Sequence, residues 1–270
     1  MNETIAQLRQ RAYRIRRNVL RMARGKGDGY VGQGLGAADI LAAVYFGEMR
    51  FDPARLDWPD RDRFVLSTGH YSIVLFAALA ELGVFREEEL ATYGADQSRL
   101  EMSTCITTPG VEITGGSLGH GLSQSVGMAL GARLSGRDFR VFNFLSDGEL
   151  QEGVTWEAAM AAAHYHLGNL IALVDVNNMQ ADGEVAGVMT IEPVADKWRA
   201  FGWHTLEING HDPNAVRSAF EEAAATKGKP TAIVAHTVKG KGVSFMENNP
   251  KFHGVAPTQD ELKLALQELN

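Results

Sequence analysis

The chain has 270 residues, 45% of them apolar and 22% charged, with a formal net charge of −7. That length and apolar share suffice to bury a full core, and the acidic balance argues against nucleic acid as a partner. The single cysteine, Cys105, excludes an internal disulfide and a cysteine metal cage; no stretch reaches the roughly 20 apolar residues of a membrane span and no charged-then-apolar leader opens the sequence, so no membrane association and a cytoplasmic location are expected.

Residues 1–26 carry eight Arg or Lys and a single Glu, with Ile5, Leu8, Ala12, Ile15, Val19 and Met22 at helical spacing. The pattern predicts an amphipathic helix whose basic face is solvated or turned to another subunit rather than to RNA or a membrane. A glycine-rich stretch over 25–36 is expected to break it, and a second helix is expected over 37–48. Arg63-Phe-Val-Leu-Ser67 predicts a short strand, followed by Thr68-Gly69-His70 and an apolar helix over 72–82. A polar loop over 92–109 leads to Gly115-Gly-Ser-Leu-Gly-His-Gly121 and a small-residue helix over 122–134.

Two apolar runs, 140–146 and 170–176, read as buried strands. The Ala-rich segment 151–167 between them reads as a helix ending at a glycine, so together they form a βαβ unit with parallel strands. Beyond it the pattern predicts a helix over 192–201, a strand over 203–208, a helix over 213–226 and a strand over 231–236. No repeat or linker interrupts the series. The expectation is one α/β domain over 1–270, a parallel sheet with helices on both faces.

Asp147-Gly148 follows the first strand of the βαβ unit and Asn177-Asn178 follows the second, at the carboxyl ends where open α/β sheets place ligands. A carboxylate, an amide oxygen and a backbone carbonyl after Asn177 would offer only hard oxygen donors, suited to Mg²⁺ or Ca²⁺ with phosphate oxygens completing the shell. The same pairs also serve as a helix cap and a turn, and the residues alone leave both readings open. Thr114-Gly-Gly-Ser-Leu-Gly-His-Gly121 either lets backbone approach a ligand, with amide hydrogens free at a helix start, or packs helices tightly. A phosphate-binding GxxxxGK[ST] loop is absent.

Taken together, Phe64-Val-Leu-Ser-Thr-Gly-His70, Thr108-Pro-Gly-Val-Glu112, Gly116-Ser-Leu-Gly119, Ser146-Asp-Gly-Glu-Leu-Gln-Glu-Gly153, Val176-Asn-Asn-Met179, Phe201-Gly-Trp203, Asn209-Gly-His-Asp212, Gly240-Lys-Gly-Val243 and His253-Gly254 follow one another as in the amino-terminal domain of transketolases. From about residue 20 to 265 the chain resembles the stand-alone amino-terminal, diphosphate-binding subunit of a split transketolase. The resemblance implies a thiamine-diphosphate-binding fold. It implies that Asp147, Asn177 and the Met179 carbonyl hold Mg²⁺, and that His70, Gly148, Glu149, Asn177 and His253 bind the cofactor, with Gly116 and Leu118 against its aminopyrimidine. Glu152, His70 and His253 are the implied catalytic residues. Glu152 and Glu157, five apart, are expected on one helix face, with Glu152 turned to a partner domain in a proton relay.

The pyrimidine-binding and carboxyl-terminal domains of the family are expected on a separate subunit, in an α₂β₂ assembly, without which the chain should be silent. Two departures bear on the substrate. Tyr30 in Gly29-Tyr-Val-Gly32 stands where the family usually has a substrate-binding histidine, and Leu100-Glu-Met-Ser-Thr-Cys-Ile-Thr-Thr108 lacks the usual histidine. The implied activity is transfer of a two-carbon ketol unit between sugar phosphates. A decarboxylating acyl transferase using a 2-keto acid such as pyruvate is the alternative, and a non-catalytic α/β partner module the third.

Overall fold

The computed structural model describes residues 3–269. Five strands form one parallel sheet: β1 (Arg63–Leu66), β2 (Val141–Ser146), β3 (Leu170–Val176), β4 (His204–Asn209) and β5 (Thr231–His236), in the order β1-β2-β3-β5-β4. Every residue of β2 and β3 is buried, as expected of strands covered on both faces.

Alternation along the strands sorts their side chains into two cores. Phe64, Leu66, Phe142, Phe144, Ile171, Leu173 and Ile233 face one core, built with helices α1 (Ile5–Lys26), α2 (Val31–Ala43), α3 (Ser72–Leu82) and α8 (Pro213–Ala225). Val65, Val141, Leu145, Leu170, Val174 and Val234 face the other, built with α4 (His120–Leu134), α5 (Gly153–His164) and α7 (Val194–Ala200). A short helix, α6 (Val185–Val188), precedes α7, and α9 (Gln259–Glu268) packs Ala265 into the first core.

The basic face of α1 is largely answered within the chain. Arg11 bonds Glu3 and Glu81, Arg14 bonds Glu81, and buried Arg16 reaches the Leu35 carbonyl and Asp39. The helix ends at Gly27, in left-handed backbone (φ 80°), and α2 starts at Val31 rather than at residue 37. Its glycines are packing residues instead of breakers: a Cβ on Gly34 would lie 2.9 Å from Val19, and one on Gly32 would lie 3.0 Å from Lys239. Helix α9 had no counterpart among the expected elements. Its Thr258-Glu261 capping box is the signal that marks its start.

Candidate active site

Segments just past the carboxyl ends of β1, β2 and β3 converge on a cleft of about 380 Å³. Tyr30, His70, Gly116, Leu118, Asp147, Gly148, Glu152, Met179 and His253, each singled out in the sequence, line it together with Gln33, Tyr71, Gln151 and Gln180. A second concavity, beside Leu8, Arg217 and Phe220, lies away from these residues.

Asp147 sits just past β2, where its carboxylate accepts the amides of Gly148 (2.8 Å) and Asn178 (2.6 Å). It therefore caps the following turn and joins the β2 and β3 loops at once. Burial, with the nearby Asp175 charge, pushes its carboxyl up to about 7. Asn177 donates from Nδ2 to Asp175 (2.8 Å) and to the Tyr71 hydroxyl (3.3 Å). Its Oδ1 is thus turned the other way, toward the Met179 amide at 3.1 Å. Asp175 is fully buried behind this pair, where it also accepts from the hydroxyls of Tyr71 (3.0 Å) and Thr237.

Among the described residues no three His, Cys, Asp or Glu side chains gather as a metal cage. The lining presents the Asp147 carboxylate and Met179; Asn177 is buried just outside the lining, its Oδ1 accepting the Met179 amide, and Asp175 is buried deeper. Two buried carboxylates, Asp147 and Asp175, with Lys239 the lysine that feels both, favour a cation, and the donor set is all oxygen, so the residues fit a hard divalent ion completed by ligand oxygens.

Lys239 is only 1% exposed, and its Nζ lies 2.7 Å from His253 Nδ1. Burial lowers Lys239 to about 8 against the pull of Asp147 and Asp175. His70 and His253 are each held down to about 4, first by burial and then by neighbouring positive charge, so both imidazoles are neutral at pH 7. Tyr30 stands edge-on to both, with ring centroids 4.9 Å from His70 and 5.7 Å from His253.

Three expectations need correction. The amides at the start of α4 are not free: Gly119 donates to Glu149 Oε1 at 2.6 Å and Gly121 to Ser67 Oγ at 3.1 Å, because a buried helix start must find acceptors. Glu149 accordingly lies beneath the cleft, fully buried and outside its lining, where its Oε1 also accepts from Ser67 Oγ and so ties the glycine loop to β1. Glu152 and Glu157 do not share a helix face. Glu152 precedes α5 in extended backbone (φ −80°, ψ 123°) and lines the cleft, whereas Glu157 lies within the helix, exposed and outside the lining.

Gln33, Gln180, Lys239 and Asp175 escaped the sequence reading. Lys239 immediately precedes the Gly240-Lys-Gly-Val243 segment, and that adjacency was the one available signal.

Residues 9–270 match the family described as transketolase, thiamine diphosphate binding domain. The chain is 51% identical over 248 residues to a transketolase family protein of Sinorhizobium fredii, covering 91% of this chain and 89% of that one. It is 42% identical over 270 residues to the 6-deoxy-6-sulfo-D-fructose transketolase subunit SqwG of a Clostridium species, covering 100% of this chain and 98% of that protein. An apulose-4-phosphate transketolase subunit of Phocaeicola vulgatus is 39% identical, over 90% of this chain and 86% of its own. The transketolase structure of Campylobacter jejuni superimposes with a TM-score of 0.91 at 32% identity, over 99% of this chain but 43% of that one. The chain thus spans nearly all of these curated subunits and about two fifths of the solved transketolase.

Proposed function

We propose, from the premise that this chain belongs to the transketolase family of thiamine diphosphate-binding domains, that it is the diphosphate-binding subunit of an enzyme transferring a two-carbon ketol unit from a ketose to an aldose. The observation that carries the reading is the meeting of His70, Asp147, Gly148, Met179 and His253 in one cleft from four separate segments of the chain.

In this reading Asp147, Asn177 Oδ1 and the Met179 carbonyl hold Mg²⁺. His70, His253 and Gly148 hold the diphosphate of thiamine diphosphate, and the backbone at Gly116 and Leu118 lies against its aminopyrimidine. When bound, the cofactor supplies the electron sink for breaking the carbon–carbon bond beside a carbonyl. The chain's own work is to bind, orient and hold protons. Lys239 donates to His253 Nδ1, which leaves the Nε2 proton for the ligand. Tyr30 fixes the planes of both histidines from the side. Glu152, at the mouth of the cleft ahead of α5, is placed to meet a neighbouring chain.

In this reading the pyrimidine is gripped by a further domain. We assign that part to a separate carboxyl-terminal transketolase subunit, in an α₂β₂ assembly working in the cytoplasm. That relatives of nearly the same length are named as subunits supports the division. Those relatives are named for a sulfonated ketose and a ketose phosphate, which favours a ketose with an anionic end over a 2-keto acid as donor.

The test is carbon-13 NMR of the chain mixed with its partner subunit, thiamine diphosphate and Mg²⁺, offered a ketose phosphate, pyruvate and an aldose phosphate. Consumption of the ketose without bicarbonate, and only with both chains present, is expected. Consumption of pyruvate with bicarbonate would replace ketol transfer by decarboxylation.

A further inference from the structure

Gln33 is 2% exposed in the first turn of α2, yet its side chain lines the cleft. Its Nε2 donates to the His253 carbonyl at 3.2 Å, while its Oε1 is buried without a hydrogen-bond partner among the described residues. Turning the amide round offers no remedy, since that would set Oε1 against the His253 carbonyl, acceptor to acceptor. The flanking turn is closely packed: a Cβ on Gly32 would meet Lys239 and the Phe252 carbonyl, and one on Gly34 would meet Val19 and Ile73.

Buried polar atoms are normally satisfied, and one held bare in a ligand cleft points to a donor that arrives with the ligand. Only an O–H or N–H can serve an amide oxygen. The carboxylate of a 2-keto acid brings lone pairs alone at neutral pH and would meet Oε1 unfavourably, whereas a ketose brings several hydroxyls. We infer that Gln33 is a specificity-determining residue whose Oε1 accepts a hydrogen bond from a hydroxyl of the donor substrate, so that the cleft selects a polyhydroxylated ketose over a 2-keto acid. This rests on the reading of the cleft as the ketol-transfer site. It also supplies a hydroxyl partner on the helix turn that begins at Tyr30, where the sequence lacks a histidine.

The test uses the enzyme assembled from both subunits with thiamine diphosphate and Mg²⁺, as wild type and Gln33→Met, which keeps the length and volume of the side chain without the acceptor. Binding of a panel of ketose phosphates and sulfonates, D-fructose 6-phosphate first, is followed by saturation-transfer NMR, turnover by coupled assay, and cofactor affinity by calorimetry. The variant is expected to raise KM for the bound ketose about 10- to 50-fold, the loss of one hydrogen bond in a buried site, with cofactor affinity unchanged. Equal ketose binding in variant and wild type would mean that Oε1 holds a trapped water, and would overturn the inference while leaving ketol transfer intact. Weakened cofactor binding with KM unmoved would assign Gln33 to the cofactor and overturn it likewise. A wild-type enzyme that binds none of the ketoses, or consumes pyruvate alone, would overturn the ketol-transfer reading and this inference together.

Discussion

Lys239 Nζ lies 2.7 Å from His253 Nδ1, and this contact decides which nitrogen of the imidazole carries its proton. With His253 down at about 4 and Lys239 at about 8, an ammonium donates to a neutral ring throughout the neutral range. Lys239→Met removes the second cause of the His253 depression and leaves burial, the first. The His253 pKa is therefore expected to rise without reaching its ordinary value of 6.5, as followed by ¹⁵N NMR of the ring nitrogens. Lys239→Arg should keep it low. A titration unchanged in Lys239→Met would break the electrostatic link.

Asp147 gives a pH signature. Its carboxyl titrates near 7 in the folded chain against 3.8 ordinarily, so the fold holds a proton that the unfolded chain releases between about pH 4 and 7. That contribution is complete below the unfolded value and disappears as pH rises through 7. His70 and His253 contribute with the opposite sign, losing stability as pH falls from 6.5 toward 4. They are present in wild type and variant alike, so a comparison cancels them. Asp147→Asn should therefore change the melting temperature more favourably at pH 8 than at pH 5 relative to wild type; equal differences at both would refute the assignment.

Ligand linkage is separate. Thiamine diphosphate with Mg²⁺ at about 100 times its dissociation constant should stabilise the assembled enzyme by about 2.7 kcal/mol. Asp147→Ala should lose that gain while circular dichroism shows the fold retained. Normal metal-dependent stabilisation in the variant would remove Asp147 from the metal site.

Tyr30→His restores a side chain that donates and accepts at neutral pH, in place of a ring packed edge-on to His70 and His253. Steady-state kinetics of the assembled enzyme should show a higher kcat/KM on unmodified ketose phosphates. Unchanged values would take Tyr30 out of the specificity argument.

Two glycines of α4 separate packing from propensity. A Cβ on Gly121 would fall against Ser67, so Gly121→Ala should cost about 1–3 kcal/mol. Gly127 faces open space in the same helix, and Gly127→Ala should stabilise the chain by about 0.4–1 kcal/mol. Urea midpoints at constant slope measure both, and a destabilised Gly127→Ala would contradict the open surroundings.

Four of the five strands were legible as short apolar runs between polar or glycine-rich borders, and β4 by the alternation of Leu206 and Ile208 with polar residues; Asp147 and Asn177 were legible because they stand immediately after two of the strands. Local pattern could not foresee that Gly32, Gly34 and Gly36 lie inside a helix, since their value comes from what packs against them. Nor could it foresee Gln33, whose amide meets a carbonyl 220 residues away. The free amides expected before α4 failed for a related reason: their acceptors, Glu149 and Ser67, belong to other segments.

Between His70 and His253 the chain lays down four of its five strands before the cleft closes. No fragment ending before Lys239 contains the pair that sets the His253 tautomer, and none beginning after His70 contains both histidines. Assembly of the cleft is therefore a late event that must wait for long-range closure. Cofactor capture during refolding becomes a clock for completion of the whole chain, and nascent or truncated chains should remain blind to the cofactor until the segment bearing His253 has docked.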